Sequence, residues 1–168
     1  MAAPPSKRIL IVEDEPDLRD KLKGLLTKYQ AFQILEAADA RQAQDIVQEP
    51  GQRLAAVILD IMLSYGTPSP NLGQDNDPDM VDTGVRLLQW LRETVQDRSV
   101  WVAVTTSRVN PRLVSRVRSL LGRRGKIYPK PYNRLLLEHD LALVLGEGSQ
   151  VPAVLIPVDY SPPSHESE

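Results

Sequence analysis

The chain has 168 residues, enough for one domain with its own hydrophobic core. Apolar residues make up 42% and charged residues 25%, which is typical of a soluble globular protein, and the net charge of −2 provides no overall attraction for nucleic acid or an anionic membrane. Because the sequence has no cysteine, disulfides, thiolate metal sites and cysteine nucleophiles are excluded.

The first apolar run is too short for a signal peptide or a membrane span. It covers residues 9–12, and acidic residues follow it directly. We therefore expect a cytoplasmic protein with no membrane partner. Residues 1–6, which precede the run, are predicted to be a flexible N-terminus.

Short aliphatic runs alternate along the chain with segments of helical periodicity. Aliphatic runs that are bounded by charged and turn-forming residues are typical of strands covered on both faces. The runs lie at residues 9–12, 34–35, 55–59, 100–104 and 126–128.

Each predicted strand is followed by a predicted helix. A proline in the first turn, or a side chain that can cap the helix, marks each start. These signals are Pro16, Asp39, Asp82 or Thr83, Pro111 and Asn133. The second helix is predicted to end near Pro50 and the fourth at Gly122. In the fifth helix, the residues predicted to face inward are Leu136, Leu137, Leu141, Val144 and Leu145.

Five strand–helix units predict an α/β domain over residues 7–146. Because parallel strands need right-handed crossovers, the helices should cover both faces of one parallel sheet. Two segments depart from the pattern. Residues 64–82 are predicted to be a long inserted loop, and the Pro-, Ser- and Glu-rich residues 147–168 an extended or disordered tail.

The ends of the predicted strands carry the candidate functional residues. Ligands of an open parallel sheet bind beyond the carboxyl ends of its strands, so these residues should converge on one edge. They are Glu13, Asp14 and Glu15 after the first strand, Asp60 after the third, Thr105, Thr106 and Ser107 after the fourth, and Lys130 with Pro131 after the fifth.

Three carboxylates at one edge predict a site for a hard divalent cation. Carboxylates packed together repel one another and resist ionisation unless a cation joins them. Mg²⁺ or Mn²⁺, which prefers oxygen ligands, fits Glu13, Asp14 and Asp60. Two of these acids could bind the metal while Asp60 keeps one oxygen free.

A free carboxylate oxygen would make Asp60 a nucleophile in phosphoryl transfer, because aspartate can form covalent phosphoryl intermediates. The phosphoryl oxygens would then need positive charge and hydrogen-bond donors. The metal, the Lys130 ammonium and the Thr105 hydroxyl could supply them.

Taken singly, each of these residues also has a purely structural explanation. Asp60 could form a strand-end turn, and Glu13 could belong to a charged first turn of a helix. Thr105 could simply favour a strand, and Thr106 is an alternative for the functional hydroxyl. Lys130 could be a solvated surface residue, although prolines on both sides fix its backbone.

Four short motifs in this order resemble the receiver domain of response regulators in two-component signalling. They are ILIVEDEP at the first strand, VILDIML at the third, VAVTT at the fourth and PKPY after the fifth. The resemblance extends over residues 7–145. It implies a flavodoxin-like, doubly wound (βα)5 sheet of strand order 2-1-3-4-5 in three layers.

The resemblance also implies a role for each motif residue. Asp60 would be phosphorylated, and Glu13 and Asp14 would bind the metal together with Asp60 and the backbone carbonyl of Met62. Thr105 would be the switch hydroxyl. Thr106 would be the small residue beside the phosphate, and Lys130 would be the cation. The bond between Lys130 and Pro131 is usually cis in this family.

The sequence departs from the family pattern in four places. Glu13 stands where aspartate is more frequent, and residues 64–82 lengthen the connection after Asp60. Ile127 occupies the position of the usual aromatic switch residue, with Tyr128 the nearest aromatic. The connection before the fifth strand is longer than usual and basic, so it forms either a solvated face or a partner-docking surface. Its arginines are Arg108, Arg112, Arg116, Arg118, Arg123 and Arg124.

The function predicted from the resemblance is a phosphorylation-dependent switch rather than an enzyme with its own substrate. A sensor histidine kinase or a phosphotransfer protein would phosphorylate Asp60. No DNA-binding domain is expected, so output would require an unidentified protein partner, or a homodimer formed through the fourth helix, fifth strand and fifth helix. The alternatives are a non-phosphorylated interaction scaffold and a haloacid-dehalogenase-like phosphohydrolase. The phosphohydrolase is disfavoured because that family requires another acid two residues after the nucleophile, where this sequence has Met62.

Overall fold

Five strands and five helices alternate along the part of the chain that the computed structural model describes, residues 7–51, 53–63, 81–97 and 99–146. The strands are β1 (Arg8–Val12), β2 (Gln33–Ala37), β3 (Leu54–Asp60), β4 (Trp101–Thr106) and β5 (Gly125–Pro129). The helices are α1 (Pro16–Leu26), α2 (Ala40–Gln48), α3 (Val81–Thr94), α4 (Pro111–Leu121) and α5 (Arg134–Leu145).

All five strands run parallel in one sheet of order β2-β1-β3-β4-β5. The predicted fold class and strand order are therefore confirmed. The order reverses direction between β1 and β3, and ligands of doubly wound sheets bind at such a point. The register pairs Val12 with Leu59 and Asp60 with Thr105, so the ends of β1, β3 and β4 lie side by side.

Two hydrophobic cores cover the two faces of the sheet. Because side chains alternate along a strand, Leu10 and Val12 enter the core beneath α2, α3 and α4, whereas Ile9 and Ile11 enter the core beneath α1 and α5. This arrangement gives the three predicted layers. Among the described residues, no helix combines the length and the apolar character needed to cross a membrane.

The observed elements differ from the predicted ones at several ends. Val100 lies before β4, because its backbone N–H donates to the carbonyl of Asp97 in a turn. Helix α3 already includes Asp82 and Thr83, so neither residue caps it, and the predicted inserted loop ends no later than residue 80. Capping preferences locate a helix start only to within one or two residues. The remaining residues of that loop, the N-terminus 1–6 and the tail 147–168 lie outside the described residues.

Helix α5 is apolar on more than its inner face. Leu137 and Leu141 are fully buried as predicted, but Val144 is 40% exposed, so its predicted inward position is wrong. The helical period predicts which face a residue occupies, whereas it does not predict whether the sheet extends to the last turn. On the outer side, Leu135 is 75% exposed.

Gly84 allows α3 to pack directly against the chain that leaves β3. A Cβ atom at this position would lie 2.3 Å from the backbone oxygen of Ile61 and 2.4 Å from its Cα. Ile61 follows Asp60, so the absence of a side chain at Gly84 sets how closely α3 approaches the candidate site. Gly24 on α1 has nothing within 4 Å of the same virtual atom.

We predict that Gly84→Ala lowers the free energy of unfolding by roughly 1–3 kcal/mol, because the backbone of Ile61 or the whole of α3 must move. The matched substitution Gly24→Ala should raise the free energy of unfolding by up to about 1 kcal/mol, since it improves helix propensity in open space. Urea denaturation of both variants measures the difference. Equal effects of the two substitutions would contradict the close approach at Gly84.

Candidate functional site

Three acidic residues meet at the carboxyl edge of the sheet. Glu13 and Asp14 follow β1, and Asp60 is the last residue of the adjacent strand β3. One carboxylate oxygen from each residue lies within 4.8 Å of the others. Glu13 and Asp60 are only 1% and 3% exposed, and Asp14 is half-buried. The structure thus brings together the three acids that the sequence predicted as metal ligands.

Lys130 lies between two of these acids. Its Nζ atom is 3.1 Å from Glu13 Oε2 and 2.9 Å from Asp60 Oδ2. The backbone of Lys130 is itself fixed, because its N–H donates to the carbonyl of Thr106 at 2.7 Å. The Lys130–Pro131 peptide bond is cis, as expected. One ammonium group therefore bridges two buried carboxylates, and the sequence had not predicted the contact with Glu13.

Both carboxylate oxygens of Asp60 accept a hydrogen bond. Oδ1 accepts the backbone N–H of Met62 at 2.9 Å, and Oδ2 accepts from Lys130. The expectation that Asp60 keeps one oxygen free concerns the metal-bound site and stays a prediction. Each carboxylate oxygen has a second lone-pair direction, so these bonds orient Asp60 without exhausting its accepting capacity. Metal binding by the Met62 carbonyl stays a prediction.

Burial and the neighbouring charges together shift the pKa values of Glu13 and Lys130. Burial, followed by the negative charge of Asp60, raises the pKa of Glu13 to about 7, and Lys130 offsets only part of this effect. Burial by itself would lower the pKa of Lys130, but the hydrogen bond and charge of Asp60, and then those of Glu13, raise it overall. Negative charge therefore exceeds positive charge locally, and such a site favours a hard divalent cation with oxygen ligands.

The two threonines at the end of β4 are in different environments. Thr105, the register partner of Asp60, is fully buried, and its Oγ1 has no hydrogen-bond partner among the described residues. The Thr106 hydroxyl is instead engaged in a local turn, accepting the N–H of Arg108 and donating to its carbonyl. A buried hydroxyl without a partner is costly, so Thr105 is the better candidate to donate to a bound anion.

Arg19 is a site residue that the sequence reasoning missed. From α1, its Nη1 atom donates to the backbone carbonyl of Glu13 at 2.7 Å and approaches that of Asp14 at 3.5 Å. Its Nε atom lies 3.7 Å from Glu36 of β2. Arg19 thereby fixes the backbone that carries the two acids. Its position in the first turns of the helix after the acidic pair was the available signal.

Ile127 and Tyr128 are neighbours on β5, and their side chains lie on opposite faces of the sheet. Ile127 is partly buried against the core beneath α4, whereas Tyr128 is buried in the core beneath α5. The Tyr128 hydroxyl donates to Asp140 Oδ2 at 2.5 Å, and Lys126 Nζ lies 2.8 Å from the same atom. Burial raises the pKa of Tyr128 well above its usual value. Tyr128 thus anchors α5 and does not replace the aromatic missing at Ile127.

Comparisons with known proteins identify the fold. Neither a protein-family model nor a curated protein matches the sequence. A response regulator receiver protein from Pseudoalteromonas atlantica superposes with a TM-score of 0.64 at 19% identity, over 84% of this chain and 99% of that one.

Two further solved structures agree. The signal receiver domain of a DNA-binding response regulator from Colwellia psychrerythraea 34H gives a TM-score of 0.63 at 23% identity, over 83% of this chain and 98% of that one. The isolated REC domain of RcsB from Salmonella enterica serovar Typhimurium, with the phosphomimetic BeF3⁻, gives 0.63 at 18% identity, over 87% and 92% of the two chains. The chain therefore has the fold of response-regulator receiver domains.

The raised pKa of Glu13 predicts how stability depends on pH in the absence of divalent metal. The ordinary pKa is 4.5 and the folded value is about 7, so the folded state binds the proton more tightly. The free energy of unfolding should therefore fall as the pH rises from about 4.5 to 7, by on the order of 3 kcal/mol. Urea denaturation in EDTA at a series of pH values measures this decrease. Glu13→Gln should flatten the dependence of the free energy of unfolding on pH, whereas Glu93→Gln, at an exposed position, should leave it unchanged. If both variants show the same pH dependence as the wild type, the raised pKa does not belong to Glu13.

Metal binding should appear as stabilisation of the folded state. A cation that binds only the folded protein, at one hundred times its Kd, adds about 2.7 kcal/mol, which corresponds to roughly 5–10 °C in Tm. We predict such an increase on addition of MgCl2 and its loss in Asp14→Asn. Asp17→Asn, at an exposed acid one turn away on α1, is the matched control and should keep it. A Tm unaffected by Mg²⁺ in the wild type would argue against a metal site.

Proposed function

We propose that this chain is a phosphorylation-dependent signalling switch in which Asp60 accepts a phosphoryl group. The single observation that supports this most strongly is the Lys130 ammonium, 2.9 Å from the Asp60 carboxylate and shared with Glu13. A cation held against a buried carboxylate, beside two more acids, suits a reaction that builds negative charge at that carboxylate. The receiver-domain fold agrees with this function in general terms.

In the proposed reaction, a carboxylate oxygen of Asp60 attacks the phosphorus atom of the donor. A phosphorus–oxygen bond forms, and the bond from phosphorus to the donor's leaving atom breaks, with its electron pair going to the leaving group. Hydrolysis later reverses the modification, because water attacks the phosphorus and the Asp60 carboxylate leaves. The chain itself supplies orientation and charge, and it converts no substrate of its own beyond these two steps.

The residues around Asp60 divide the remaining tasks. The backbone N–H of Met62 orients the carboxylate, and Lys130 neutralises charge on the phosphoryl oxygens. The Thr105 hydroxyl, buried without a partner among the described residues, gains one by donating to a phosphoryl oxygen. Glu13, Asp14 and Asp60 would hold Mg²⁺ or Mn²⁺, which would supply further positive charge to the phosphoryl group.

The proposed partners follow from this reaction. The phosphoryl donor is a phosphohistidine on a sensor kinase or phosphotransfer protein, or a small phosphodonor, in the cytoplasm. Phosphorylation changes partner binding by stabilising one of two conformers, because a ligand shifts an equilibrium only through its differential affinity for the two states. The proposed output surface is α4, β5 and α5, which would contact an unidentified protein or a second copy of the chain.

Phosphodonor treatment tests the proposal. Incubation of the full chain with acetyl phosphate and Mg²⁺ should increase its intact mass by one phosphoryl group. The gain should be lost in Asp60→Asn, which removes the nucleophilic oxygen, and should persist in Asp45→Asn, a matched change at an exposed acid on α2.

The other outcomes separate the alternatives. A folded wild-type protein that gains no mass would favour the non-phosphorylated interaction scaffold. Steady turnover of an aryl phosphate, abolished by Asp60→Asn, would instead favour the phosphohydrolase. Either result would overturn the proposed switch.

A further inference from the structure

Positive charge is concentrated in one quarter of the chain. Between Asp97 and Glu138 the sequence has no acidic residue, although the whole chain has 22 acidic and 20 basic residues. Half of the basic residues fall in this interval. They are Arg98, Arg108, Arg112, Arg116, Arg118, Arg123, Arg124, Lys126, Lys130 and Arg134.

Helix α4 presents two of these arginines on its outer side. Arg112, Ser115, Arg116 and Ser119 are all exposed, and each lies three or four residues from two of the others along the helix, so they share one face. They border an open groove of about 560 Å³. Its remaining walls are apolar, formed by Pro111 and Leu120. We call this surface the α4 face.

The chemistry of the α4 face defines what could bind it. Arginine forks and serine hydroxyls donate hydrogen bonds in the geometry that carboxylates accept. The apolar walls additionally fit aliphatic or proline side chains. No aromatic residue lies between residues 107 and 124, so the face lacks the stacking platforms on which proteins hold single-stranded nucleic acid. An acidic polypeptide with aliphatic residues therefore fits better than a nucleic acid.

The chain contains such a polypeptide immediately after α5. Residues 147–168 include no lysine or arginine, and they carry an aliphatic and proline-rich run at 151–158. Their acidic residues are Glu147, Asp159, Glu166 and Glu168.

The position of this segment makes the contact possible. Helix α5 ends at Leu145, and Gly146 has a left-handed φ of 76°. Because helices that connect parallel strands run back towards the amino edge of the sheet, α5 ends at the same edge as α4, although the two helices cover opposite faces. Twenty-two residues can span roughly 70 Å when extended, several times the length of α4.

We propose that residues 147–168 bind intramolecularly to the α4 face, with their carboxylates on its arginines and their aliphatic residues against Pro111 and Leu120. Single exposed ion pairs contribute little, but several of them on a tethered segment gain from a high effective concentration. The segment then competes with any acidic partner for α4. This inference goes beyond the proposed switch and does not depend on phosphorylation of Asp60.

A spin label can test the contact, because the chain has no cysteine and Ser164→Cys therefore provides a unique attachment site. In the ¹⁵N-labelled full chain, the label should broaden the amide signals of Ser115 and Ser119 and leave those of β2, at the far edge of the sheet, sharp. The broadening should disappear in about 1 M NaCl, where the Debye length is about 3 Å.

Charge variants identify the contacting groups. Arg112→Glu with Arg116→Glu should remove the broadening, whereas Lys21→Glu with Arg41→Glu, the same charge change at exposed positions on α1 and α2, should preserve it. Glu166→Gln with Glu168→Gln should weaken it and cannot disturb the folding of α4, since both lie beyond α5.

Three results would overturn the proposal. The first is that the spin label does not broaden the amide signals of α4. This result would overturn the proposal also if an added oligonucleotide were found to bind α4. The second is broadening that survives both salt and the arginine variant. The third is equal broadening when spin-labelled ¹⁴N chain is mixed with unlabelled ¹⁵N chain, which would mean that the segment binds a second copy.

Discussion

The rest of the site depends on the two ion pairs that the Lys130 ammonium forms. The ammonium is shared between Glu13 and Asp60, two carboxylates that are almost completely buried. Removing one partner from such a cluster leaves an uncompensated charge, which typically costs several kcal/mol. The Lys130 ammonium thus compensates part of this closely spaced negative charge, and the raised pKa of Glu13 indicates that it does not compensate all of it. This residual negative charge is what a divalent metal would neutralise.

The fold holds this cluster through contacts that are themselves short-range and specific. The register of β3 and β4 places Thr105 beside Asp60, and the N–H of Lys130 donates to the carbonyl of Thr106. From outside the sheet, Arg19 fixes the backbone of Glu13, and α3 approaches Ile61 at the glycine of its first turns. Each contact restricts one strand end, so several elements together determine a geometry that none of them determines alone. Such support from rigid elements is what positions catalytic groups accurately.

Strand ends could be predicted from the sequence because two rules combine there. Buried aliphatic runs mark parallel strands, and all parallel strands end at the same edge, so the sequence alone predicts that Glu13, Asp14, Asp60 and Lys130 meet. The pairings within the cluster could not be predicted, since they depend on how far each side chain reaches. The contact between Lys130 and Glu13 is one example, and the different hydroxyl environments of Thr105 and Thr106 are another. The exposure of Val144 was missed because periodicity describes one helix and not the extent of the sheet beneath it.

The proposed switch requires that Asp60, rather than either neighbouring acid, carries the phosphoryl group. Reduction of the phosphorylated chain with borohydride converts an acyl phosphate on aspartate to homoserine, which peptide mass spectrometry can locate. We predict homoserine at position 60 and unmodified carboxylates at Glu13 and Asp14, because two hydrogen bonds of 2.9 Å, from the Met62 N–H and from Lys130, orient the Asp60 carboxylate. The bonds that Glu13 accepts from the Glu15 N–H and from Lys130 are longer, at 3.4 and 3.1 Å. Reduction at either of the other two acids, with Asp60 intact, would contradict it.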